Sequence, residues 1–303
     1  MIEAKDAVAR AREKGTVIPA FNVPYLPMMK PIIQAVVDNN SVAMIQVARV
    51  EWEKFGAESL EAIAEEYKRL EDPDHTLLHL DHIPVIDEDM VEVDYMPLIE
   101  RGIDAGYQSL MIDASRLDLD GNIEATKKAA KAAHDAGVPL EAELGAVMGH
   151  ESGPRIPYEE IFATKKGFTD LEEAKQFADD SDCDWLSVAV GNIHGAVAEN
   201  LRDQRKPTAR LDVDHIAALA EATGLPLVLH GGSGIDPDYI RRGIAAGIAK
   251  INVGTEIRQA YVEALGDDNN VEKAQQAVYD KVTDIIRNML QIRDTRDLLY
   301  PEE

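Results

Sequence analysis

Residues 226–255 read PLVLHGGSGIDPDYIRRGIAAGIAKINVGT, and this stretch carries the pattern that decides the fold. It begins with an apolar run over 226–231, which ends in a histidine and a glycine-rich turn. A helix-like segment follows over Asp236–Ala246, and a second apolar run occupies 249–254. A strand, a helix and another strand in this order predict two parallel strands joined by a helical crossover.

The same alternation extends outward from this stretch and gives eight apolar runs in all. Eight strand-like runs separated by helix-like segments are typical of a (β/α)8 TIM barrel. An open doubly wound sheet would need a glycine-rich fingerprint after its first strand, where this chain has NVPYLPMMK. We therefore expect an α/β fold with a single domain over residues 1–303, in which the barrel spans about 15–265 and additional C-terminal helices form a tail over about 266–303. The expected strands are 17–23, 42–48, 76–80, 109–114, 139–144, 185–190, 226–231 and 249–254, and the expected helices are Leu26–Asn39, Ala57–Leu70, Gly121–Ala136, Leu171–Asp179, Asp212–Ala222, Asp236–Ala246 and Glu256–Ile292.

The composition excludes several classes of partner. The chain has 56 acidic residues against 31 lysines and arginines, a formal net charge of −25. A field of this sign repels nucleic acid and anionic membranes, so any phosphate must be bound locally. Cys183 is the one cysteine, which excludes an intrachain disulfide and multi-cysteine metal sites. The sequence shows no secretory pattern and no long apolar run, so a cytoplasmic protein is expected.

The polar residues that close the apolar runs are the candidate site residues, because the carboxyl ends of barrel strands meet at one mouth. Three histidines close three different runs, and carboxylates accompany them. Imidazoles from separate strands can hold a catalytic Zn²⁺ or a similar divalent ion, although a strand-end histidine can equally be a hydrogen-bonded filler. His79 could orient Asp81 or simply pack. The strand-end residues are His79, Asp81, His82, Asp113, Ser115, Glu141, Glu143, Asn192, His194, His230 and Asn252.

Two loops offer a phosphate site that needs no cationic side chain. GGSG, residues 231–234, follows the seventh run, and NVGT, residues 252–255, follows the eighth. Glycines let the backbone approach an anion, and hydroxyl groups with the N–H groups of a helix start can bind phosphate. Barrel enzymes often bind phosphate at these loops, whereas GGSG alone could be a plain turn. The candidate cradle comprises Gly231, Gly232, Ser233, Asn252, Val253, Gly254 and Thr255.

Seven segments, in this order and spacing, resemble the class II, metal-dependent fructose-bisphosphate and tagatose-bisphosphate aldolases. The resemblance covers roughly residues 15–265, and the combination is far more specific than any one motif. The segments are FNV (21–23), HLDH (79–82), MIDAS (111–115), EAELG (141–145), AVGNIHG (189–195), LVLHGGSGI (227–235) and KINVGT (250–255).

The resemblance implies a lyase of carbohydrate metabolism, of the glycolytic type, that acts on a phosphorylated sugar. It implies that His82, His194 and His230 bind the catalytic Zn²⁺. Asp113 and Glu143 match positions that can hold a second divalent ion, and a monovalent cation is the other cofactor that the family suggests.

The resemblance also implies the acid and base groups. Asp81 matches the residue that handles the hydroxyl proton on the aldehyde side. Glu151 resembles the carboxylate of a mobile loop that moves the carbon-bound proton. Gly195 joins the cradle for the phosphate and the enediolate end of dihydroxyacetone phosphate.

The chemistry gives a reason for these residue types. Retro-aldol cleavage leaves electrons on a carbon next to a carbonyl group, and a divalent ion stabilises the resulting enediolate as a Lewis acid. A Schiff-base lysine is the other solution, and Lys250 is the one lysine at a strand end, but three histidines would then have no purpose. A metal-dependent sugar-phosphate isomerase or epimerase would use the same parts. A non-catalytic sugar-phosphate binding protein would not need the acid and base carboxylates.

The chain departs from the family where the second half of the substrate should bind. Ile83-Pro84 and an acidic insertion follow HLDH, where the family usually has glycine. Ala48-Arg49 stands in place of a substrate-facing serine, and GDDNNVEK (266–273) replaces a basic segment that binds the far phosphate. We therefore expect an acceptor aldehyde other than glyceraldehyde phosphate. The arginines that could restore an anion site are Arg49, Arg155, Arg293 and Arg296.

The assembly is the last expectation. Members of the family are usually homodimers or homotetramers, so the resemblance implies a homo-oligomer. The C-terminal tail carries an apolar set that could cover its own barrel or a neighbouring subunit. This set consists of Val278, Val282, Ile285, Ile286 and Met289.

Overall fold

The computed structural model of the chain describes residues 2–145, 158–192 and 209–301. Eight parallel strands close into a barrel in the order β1 to β8, which confirms the predicted (β/α)8 TIM barrel. Each strand coincides with one of the apolar runs, and only β3 continues well beyond its run. The strands are β1 (Ile18–Asn22), β2 (Ala43–Ala48), β3 (Thr76–Pro84), β4 (Ser109–Asp113), β5 (Leu140–Leu144), β6 (Trp185–Val188), β7 (Leu227–Leu229) and β8 (Ile248–Val253).

Helices surround the barrel and extend beyond its last strand. A single 3-10 turn over Leu26–Met28 leads into α2, and a π-helical turn over Ile285–Met289 follows α12. The helices are α1 (Ala4–Lys14), α2 (Met29–Asp38), α3 (Arg49–Lys54), α4 (Leu60–Leu70), α5 (Tyr95–Ala105), α6 (Leu119–Asp135), α7 (Tyr158–Thr164), α8 (Leu171–Asp180), α9 (Val213–Thr223), α10 (Pro237–Ala246), α11 (Thr255–Leu265), α12 (Val271–Asp284) and α13 (Thr295–Leu299).

The barrel interior changes from apolar to polar along the strands. Strand side chains have a period of two, so alternate residues of each strand face the interior. Ala20 and Met44 are paired across β1 and β2 and lie in the inner apolar cluster. Two residues further along, the paired Asn22 and Gln46, with His79 of β3 beside them, are polar and buried. This polar layer lies below the mouth and supports the site described next.

Helix α1 packs on the amino-terminal end of the barrel. Its buried residues are Ala4, Ala7, Val8 and Ala11, which share one face because they follow the three- and four-residue spacing of a helix. They belong to the same apolar cluster as the inward-facing residues of the strands. The barrel is thus closed at this end, and a substrate has to enter at the carboxyl ends of the strands.

The predicted helical tail over Glu256–Ile292 consists of α11, α12 and the π-helical turn that follows α12, with a break between the two helices. Gly266 ends α11 with a positive φ of 55°, a conformation that glycine adopts without strain. Asn270 then caps α12, because its side-chain oxygen accepts a hydrogen bond from the backbone N–H of Lys273.

The tail covers its own barrel. Gln275 of α12 donates a hydrogen bond to the carbonyl of Pro27 at 2.9 Å, and Tyr279 donates one to Asp38 at the end of α2 at 2.8 Å. All five apolar residues of the predicted set are buried in the outer core of the same chain; they are Val278, Val282, Ile285, Ile286 and Met289. Of the two alternatives left open by the sequence, the structure therefore supports packing within the subunit.

The acidic insertion after β3 forms a compact loop. An antiparallel bridge joins Ile86 to Glu92, and Asp87 accepts hydrogen bonds from the backbone N–H groups of Asp89 and Val91. Helix α5 begins directly after this loop, and the sequence analysis did not predict it. Pro97 obscured the pattern, although proline is tolerated in the first turn of a helix.

Over the described parts of the chain, none of the helices has the combination of length and apolar character that crossing a membrane requires.

Candidate active site

An irregularity in β3 brings two adjacent residues, Asp81 and His82, to the mouth of the barrel. Neighbouring residues on a regular strand point to opposite faces. Here the pairing of β3 with β4 shifts register between Leu80 and Ile83, and His82 has a φ of +29°. A positive φ is strained for a residue with a side chain and is commonly kept for function. The bulge therefore turns His82 towards the site while Asp81 keeps its inward direction.

Two imidazoles meet at the mouth. His82 Nε2 lies 2.8 Å from His230 Nδ1, and the ring centroids are 4.6 Å apart in an edge-on arrangement. The outer nitrogen of each ring faces a carboxylate: His82 Nδ1 donates to Asp113 at 3.2 Å, and His230 Nε2 donates to Glu141 at 2.8 Å. A carboxylate behind each imidazole fixes the tautomer and leaves the inner nitrogen as a ligand. This is the arrangement of a metal-binding histidine pair.

The donor set fits a divalent ion such as Zn²⁺. Ligand nitrogens of a tetrahedral zinc lie about 3.3 Å apart, given Zn–N distances of about 2.0–2.1 Å, so the inner nitrogens would separate by only about half an ångström. Two groups of potential ligands share the site, with ligand atoms within 4.8 Å of one another: Asp81, His82 and His230, and His82, Asp113 and Glu143. The third predicted zinc ligand, His194, lies outside the described residues, as do Glu151 and Gly195.

The electrostatic surroundings of the imidazoles favour a cation. Burial lowers the pKa of His82, but Asp81, Asp113 and Glu143 outweigh it and raise the pKa to about 10. Burial and His82 lower the pKa of His230, but hydrogen bonds to two glutamates raise it above its ordinary value. An environment that stabilises a proton on these rings also stabilises a metal ion between them.

Asp81 is held as a carboxylate by three amide groups. Its Oδ2 accepts hydrogen bonds from Asn22 and Gln46, both at 3.1 Å, and its Oδ1 accepts one from Asn252 at 3.0 Å. Burial would raise the pKa of this carboxyl, but the positive field of His82, His230 and Lys250 keeps it below the ordinary value. A metal ion on the same imidazoles would act in the same direction. Asp81 is therefore ionised and able to accept a proton.

Glu141 is the centre of a buried network below the two imidazoles. It lies 2.9 Å from the ammonium of Lys250, accepts a hydrogen bond from Trp185 Nε1 at 2.6 Å, and contacts His230 as described. Both Glu141 and Lys250 are fully buried. Burial raises the pKa of Glu141, but Lys250 and His230 hold it well below its usual range. The ion pair therefore positions His230 from the interior of the barrel.

The position of Lys250 bears on the Schiff-base alternative. Its ammonium pairs with Glu141 and donates to Asn252 Oδ1 at 2.7 Å, and Asn252 in turn donates to Asp81. A paired and buried ammonium is a poor nucleophile, because it must lose both its proton and its partners before it can attack a carbonyl group. The structure favours a role for Lys250 in orienting Asn252.

His79 packs in the barrel interior and forms no hydrogen bond with Asp81. Its Nδ1 lies 2.8 Å from Ser109 Oγ, and its Nε2 has no hydrogen-bond partner among the described residues. Burial and the nearby Lys250 lower the pKa of His79 to about 3, so the ring is neutral. Of the two alternatives, the geometry supports packing.

The residues of the predicted phosphate cradle lie where the loops after β7 and β8 meet. Gly232 donates to the carbonyl of Asn252 at 3.0 Å, and a Cβ at this position would lie 2.7 Å from a methyl carbon of Ile251, so the contact requires glycine. Ser233 is buried and accepts a bond from the N–H of Glu256 in the first turn of α11. Thr255 begins that helix, whose N–H groups point towards the loop.

The remaining cradle residues contribute differently. Gly231 has a φ of +65° and directly follows His230, a predicted metal ligand. Gly254 lies against Asn22, and a Cβ there would approach the Asn22 side-chain oxygen to 3.0 Å. Val253 points its side chain into the outer core, so only its backbone can face a ligand. The side-chain amide of Asn252 donates its hydrogen bond to Asp81.

The arginines expected to restore a second anion site do not converge on the mouth. Arg49 lines a cleft beside His82, but its guanidinium is paired with Glu53 at 2.8 Å and Asp87 at 3.2 Å. Arg296 donates to the carbonyl of Asp74. The residue after Arg293, Asp294, donates its backbone N–H to the carbonyl of Asn39. Both contacts lie before β2 and β3, so Arg293 and Arg296 are at the amino-terminal end of the barrel. Arg155 lies outside the described residues.

Several residues that support the site were not among the candidates from the sequence. Asn22 and Gln46 hold Asp81, Trp185 holds Glu141, and Glu51 reaches the site from α3. Lys250, which the sequence offered only as an alternative nucleophile, also holds Glu141. A signal for Gln46 was present, because a polar residue inside the apolar run VAMIQVA must find a buried partner. Glu51 had no such signal, since it stands in a polar helix.

Comparison with known proteins gives a consistent result along nearly the whole chain. The family described as "Fructose-bisphosphate aldolase class-II" matches residues 2–296. The fructose-bisphosphate aldolase of Streptococcus pneumoniae serotype 4 is 32% identical over 286 residues, which cover 93% of this chain and 88% of that protein. The fructose-bisphosphate aldolase of Staphylococcus epidermidis is 30% identical over 280 residues, covering 90% of this chain and 87% of that protein.

Solved structures agree with this result. The crystal structure of the YdjI aldolase from Escherichia coli K12 superposes with a TM-score of 0.76 at 26% identity and covers 97% of this chain and 98% of that chain. The fructose-bisphosphate aldolase structure from Campylobacter jejuni, at 17% identity and a TM-score of 0.72, covers 97% and 96% and shows the same fold.

Proposed function

The chain belongs to the class II fructose-bisphosphate aldolase family, and from this premise we propose that it is a Zn²⁺-dependent lyase that reversibly cleaves a ketose phosphate into dihydroxyacetone phosphate and an aldehyde. One observation carries the proposal. The inner nitrogens of His82 and His230 converge beside the ionised Asp81, with a carboxylate behind each ring.

The metal would be held by His82, His230 and, outside the described residues, His194. Bound there, Zn²⁺ supplies Lewis-acid stabilisation for the negative charge that carbon–carbon cleavage leaves on the donor half. Imidazole ligands support zinc over magnesium, which prefers oxygen ligands. Asp113 and Glu143 would hold a second divalent ion or a monovalent cation. The hydrogen bond from His82 to Asp113 supports a further role for this carboxylate in orienting the ring.

Asp81 accepts the hydroxyl proton in the cleavage direction. A general base must be ionised, must reach the substrate and must keep its orientation. The three amide donors keep Asp81 ionised, because they stabilise its carboxylate, and they keep its orientation, because they fix the plane of the group. Glu151, which lies outside the described residues, is proposed to move the carbon-bound proton at the donor half.

The cradle binds the phosphate of the donor half. Ser233, the backbone of Gly231 and the first turn of α11 from Thr255 would supply uncharged donors. Gly232, whose N–H donates to Asn252, would contribute the space that its missing side chain leaves, and Gly195 would be a further member from outside the described residues. This mode of binding suits a strongly acidic protein, because it concentrates donors locally and needs no basic patch.

The acceptor half is proposed to be uncharged. Among the predicted arginines that the structure describes, Arg49 is the one at the mouth, and two carboxylates neutralise it. Arg116 lines the outer edge of the same cleft, is exposed, and contacts Met90 Sδ at 3.1 Å. A phosphate on the acceptor would meet this single solvated cation together with Glu88 and Asp113.

A retro-aldol assay tests the proposal. The zinc-loaded enzyme is given fructose and tagatose 1,6-bisphosphates beside the corresponding 1-phosphates, and free triose is measured. We expect triose release with the highest kcat/KM on a 1-phosphate. A strong bisphosphate preference that Arg116→Ala removes would show that the acceptor is anionic, and absence of triose from all four substrates would refute the aldolase function.

The metal site has its own test. His230→Ala should lower both the zinc content measured by mass spectrometry and the turnover, whereas His134→Ala, on the outer surface, should leave both unchanged. Turnover that persists in His230→Ala with the metal still bound would contradict the assignment.

The proposed assembly and location follow from the family resemblance alone. We propose a homodimer or homotetramer that works in the cytoplasm. Light scattering on a size-exclusion column measures the assembly, and a monomer at micromolar concentration would contradict it.

A further inference from the structure

Glu51 is a buried carboxyl group at the mouth that the proposed mechanism does not use. It stands in the first turn of α3, directly after β2, and is 8% exposed. Its Oε2 accepts the backbone N–H of Ala48 at 2.8 Å, so the side chain folds back over the start of the helix towards the barrel. In this position the carboxyl caps α3 and also faces the site.

The same oxygen is linked to the predicted catalytic base. Asn22 Nδ2 donates to Glu51 Oε2 at 3.3 Å and to Asp81 Oδ2 at 3.1 Å. An amide nitrogen carries two hydrogens, so one amide group can serve both carboxyls at once. Glu51 therefore lies on the aldehyde side of the site, which is the side that Asp81 serves.

The second oxygen of Glu51 is not committed to the protein. Within the described ranges, Oε1 makes no hydrogen bond, and it is not among the buried polar atoms that lack partners. This leaves Oε1 accessible to a ligand or to water. Ala48 has no polar side chain, so its polar contact with Glu51 is the backbone N–H that binds Oε2.

We propose that Glu51 is a specificity-determining residue of the aldol reaction and that its carboxyl group binds a hydroxyl group on the aldehyde half of the substrate. This inference rests on the proposed aldolase function. A hydroxyl group can donate to an ionised carboxyl and accept from a neutral one, so it fits Glu51 in either state. A phosphate group on the same half would instead face the carboxyl groups of Glu51, Asp81 and Asp113. A carboxyl group offers a phosphate at most one hydrogen-bond donor, and only when it is protonated.

The protonation of Glu51 agrees with this assignment. Burial raises the pKa of Glu51 to about 8. A carboxyl group that keeps its proton near neutral pH can donate a hydrogen bond to the oxygen of a substrate hydroxyl group. Glu51 would hold the hydroxylated aldehyde while Asp81 handles its reacting proton.

Aldol condensation with matched aldehydes tests the proposal. The zinc-loaded enzyme receives dihydroxyacetone phosphate with glyceraldehyde, with propionaldehyde, which has the same length and no hydroxyl groups, or with glyceraldehyde 3-phosphate. The variants are Glu51→Gln, which keeps the cap of α3, Glu51→Ala, and the double variant Ala48→Ser with Glu51→Ala. Glu65→Gln on the exposed face of α4 is the control for loss of charge.

We expect the wild type to prefer glyceraldehyde over propionaldehyde by tenfold or more in kcat/KM, because a site built for a hydroxyl group rejects an analogue without one. Glu51→Ala should lower that preference about tenfold, which corresponds to about 1.4 kcal/mol, mainly through the KM of glyceraldehyde. Glu51→Gln should retain part of the preference, and the double variant should gain activity on glyceraldehyde 3-phosphate.

A purely structural role would give a different result. If Glu51 only caps α3, its variants will lower activity on all three aldehydes by the same factor, and the preference will not change. That result would overturn the inference while leaving the aldolase function intact. Absence of condensation in the wild type with every aldehyde would overturn the proposed function and the inference with it.

Discussion

Replacing Glu141 with glutamine tests two roles of this buried carboxylate, which are to stabilise the fold by pairing with Lys250 and to support zinc binding by orienting His230. The change keeps the size of the side chain but removes the negative charge that faces Lys250 at 2.9 Å and His230 at 2.8 Å. Glutamine offers one accepting oxygen where the carboxylate offers two, and these two oxygens serve Trp185 Nε1 and His230 Nε2. The variant therefore loses an ion pair and weakens the support of His230.

The magnitudes follow from the burial. Glu141 and Lys250 are fully buried, and breaking a buried pair from one side costs about 3–5 kcal/mol, because the other charge stays behind without a partner. Loss of the carboxylate behind His230 should weaken zinc binding about 10- to 100-fold. We expect the free energy of unfolding of the metal-free enzyme in urea to fall by the first amount, and competition with a chromophoric chelator to show the second.

A second substitution distinguishes the effects. In Glu141→Gln with Lys250→Met, the stranded ammonium is removed, so most of the lost stability should return while the zinc affinity stays low. Unchanged unfolding of the single variant would refute the argument about burial. Full recovery of zinc affinity in the double variant would refute the role of the carboxylate behind His230.

Three further predictions concern other parts of the site. Asp81→Asn should leave the zinc content unchanged and lower kcat about 10²- to 10⁴-fold, since it removes a general base that does not depend on the metal for its position; loss of zinc would argue against this. Gly232→Ala should destabilise the fold by about 1–3 kcal/mol in urea unfolding, because its Cβ would meet Ile251 at 2.7 Å, and an unchanged midpoint would contradict the close contact. The pKa of Glu51, raised from 4.5 to about 8, means that the folded state binds its proton more tightly than the unfolded chain does. The stabilisation that comes from protonated Glu51 is complete below pH 4.5 and is lost as the pH rises to about 8. The free energy of unfolding should therefore fall by at most about 1.4 kcal/mol per pH unit in this range, and Glu51→Gln should remove this dependence from unfolding curves.

The strand order and the mouth of the barrel could be predicted from the sequence, because both depend on periodicity. Eight apolar runs define the strands, and their last residues must share one end of a closed parallel sheet. His230, directly after β7, and Asp81, in the last part of β3, were located in this way.

The supporting residues depend on geometry that periodicity does not express. His82 faces the site because of a register shift and a positive φ, which no spacing rule for β3 predicts. Glu51 reaches the mouth because α3 starts directly after β2 and its side chain folds back to Ala48. Both effects belong to the local backbone at a strand end, where the regular pattern stops.

The ion pair of Lys250 could not be predicted from the sequence either. A lysine at a strand end offered a nucleophile as an alternative to the metal site. Its contact with Glu141 becomes visible only when the barrel is closed. The two residues are far apart in sequence, on β5 and β8, and their pairing depends on how the strands close. Long-range partners of this kind cannot be read from either segment alone.

The hydrogen bond from Trp185 to Glu141 gives this protein a built-in optical probe. One carboxylate separates the indole from His230, so a cation that binds His230 changes the electric field at the indole. Indole emission responds to such fields, and the other tryptophan, Trp52, lies on α3 and would contribute a separate background. The intrinsic fluorescence of the unmodified enzyme can therefore follow the loading of its metal site in real time, without a dye or a label.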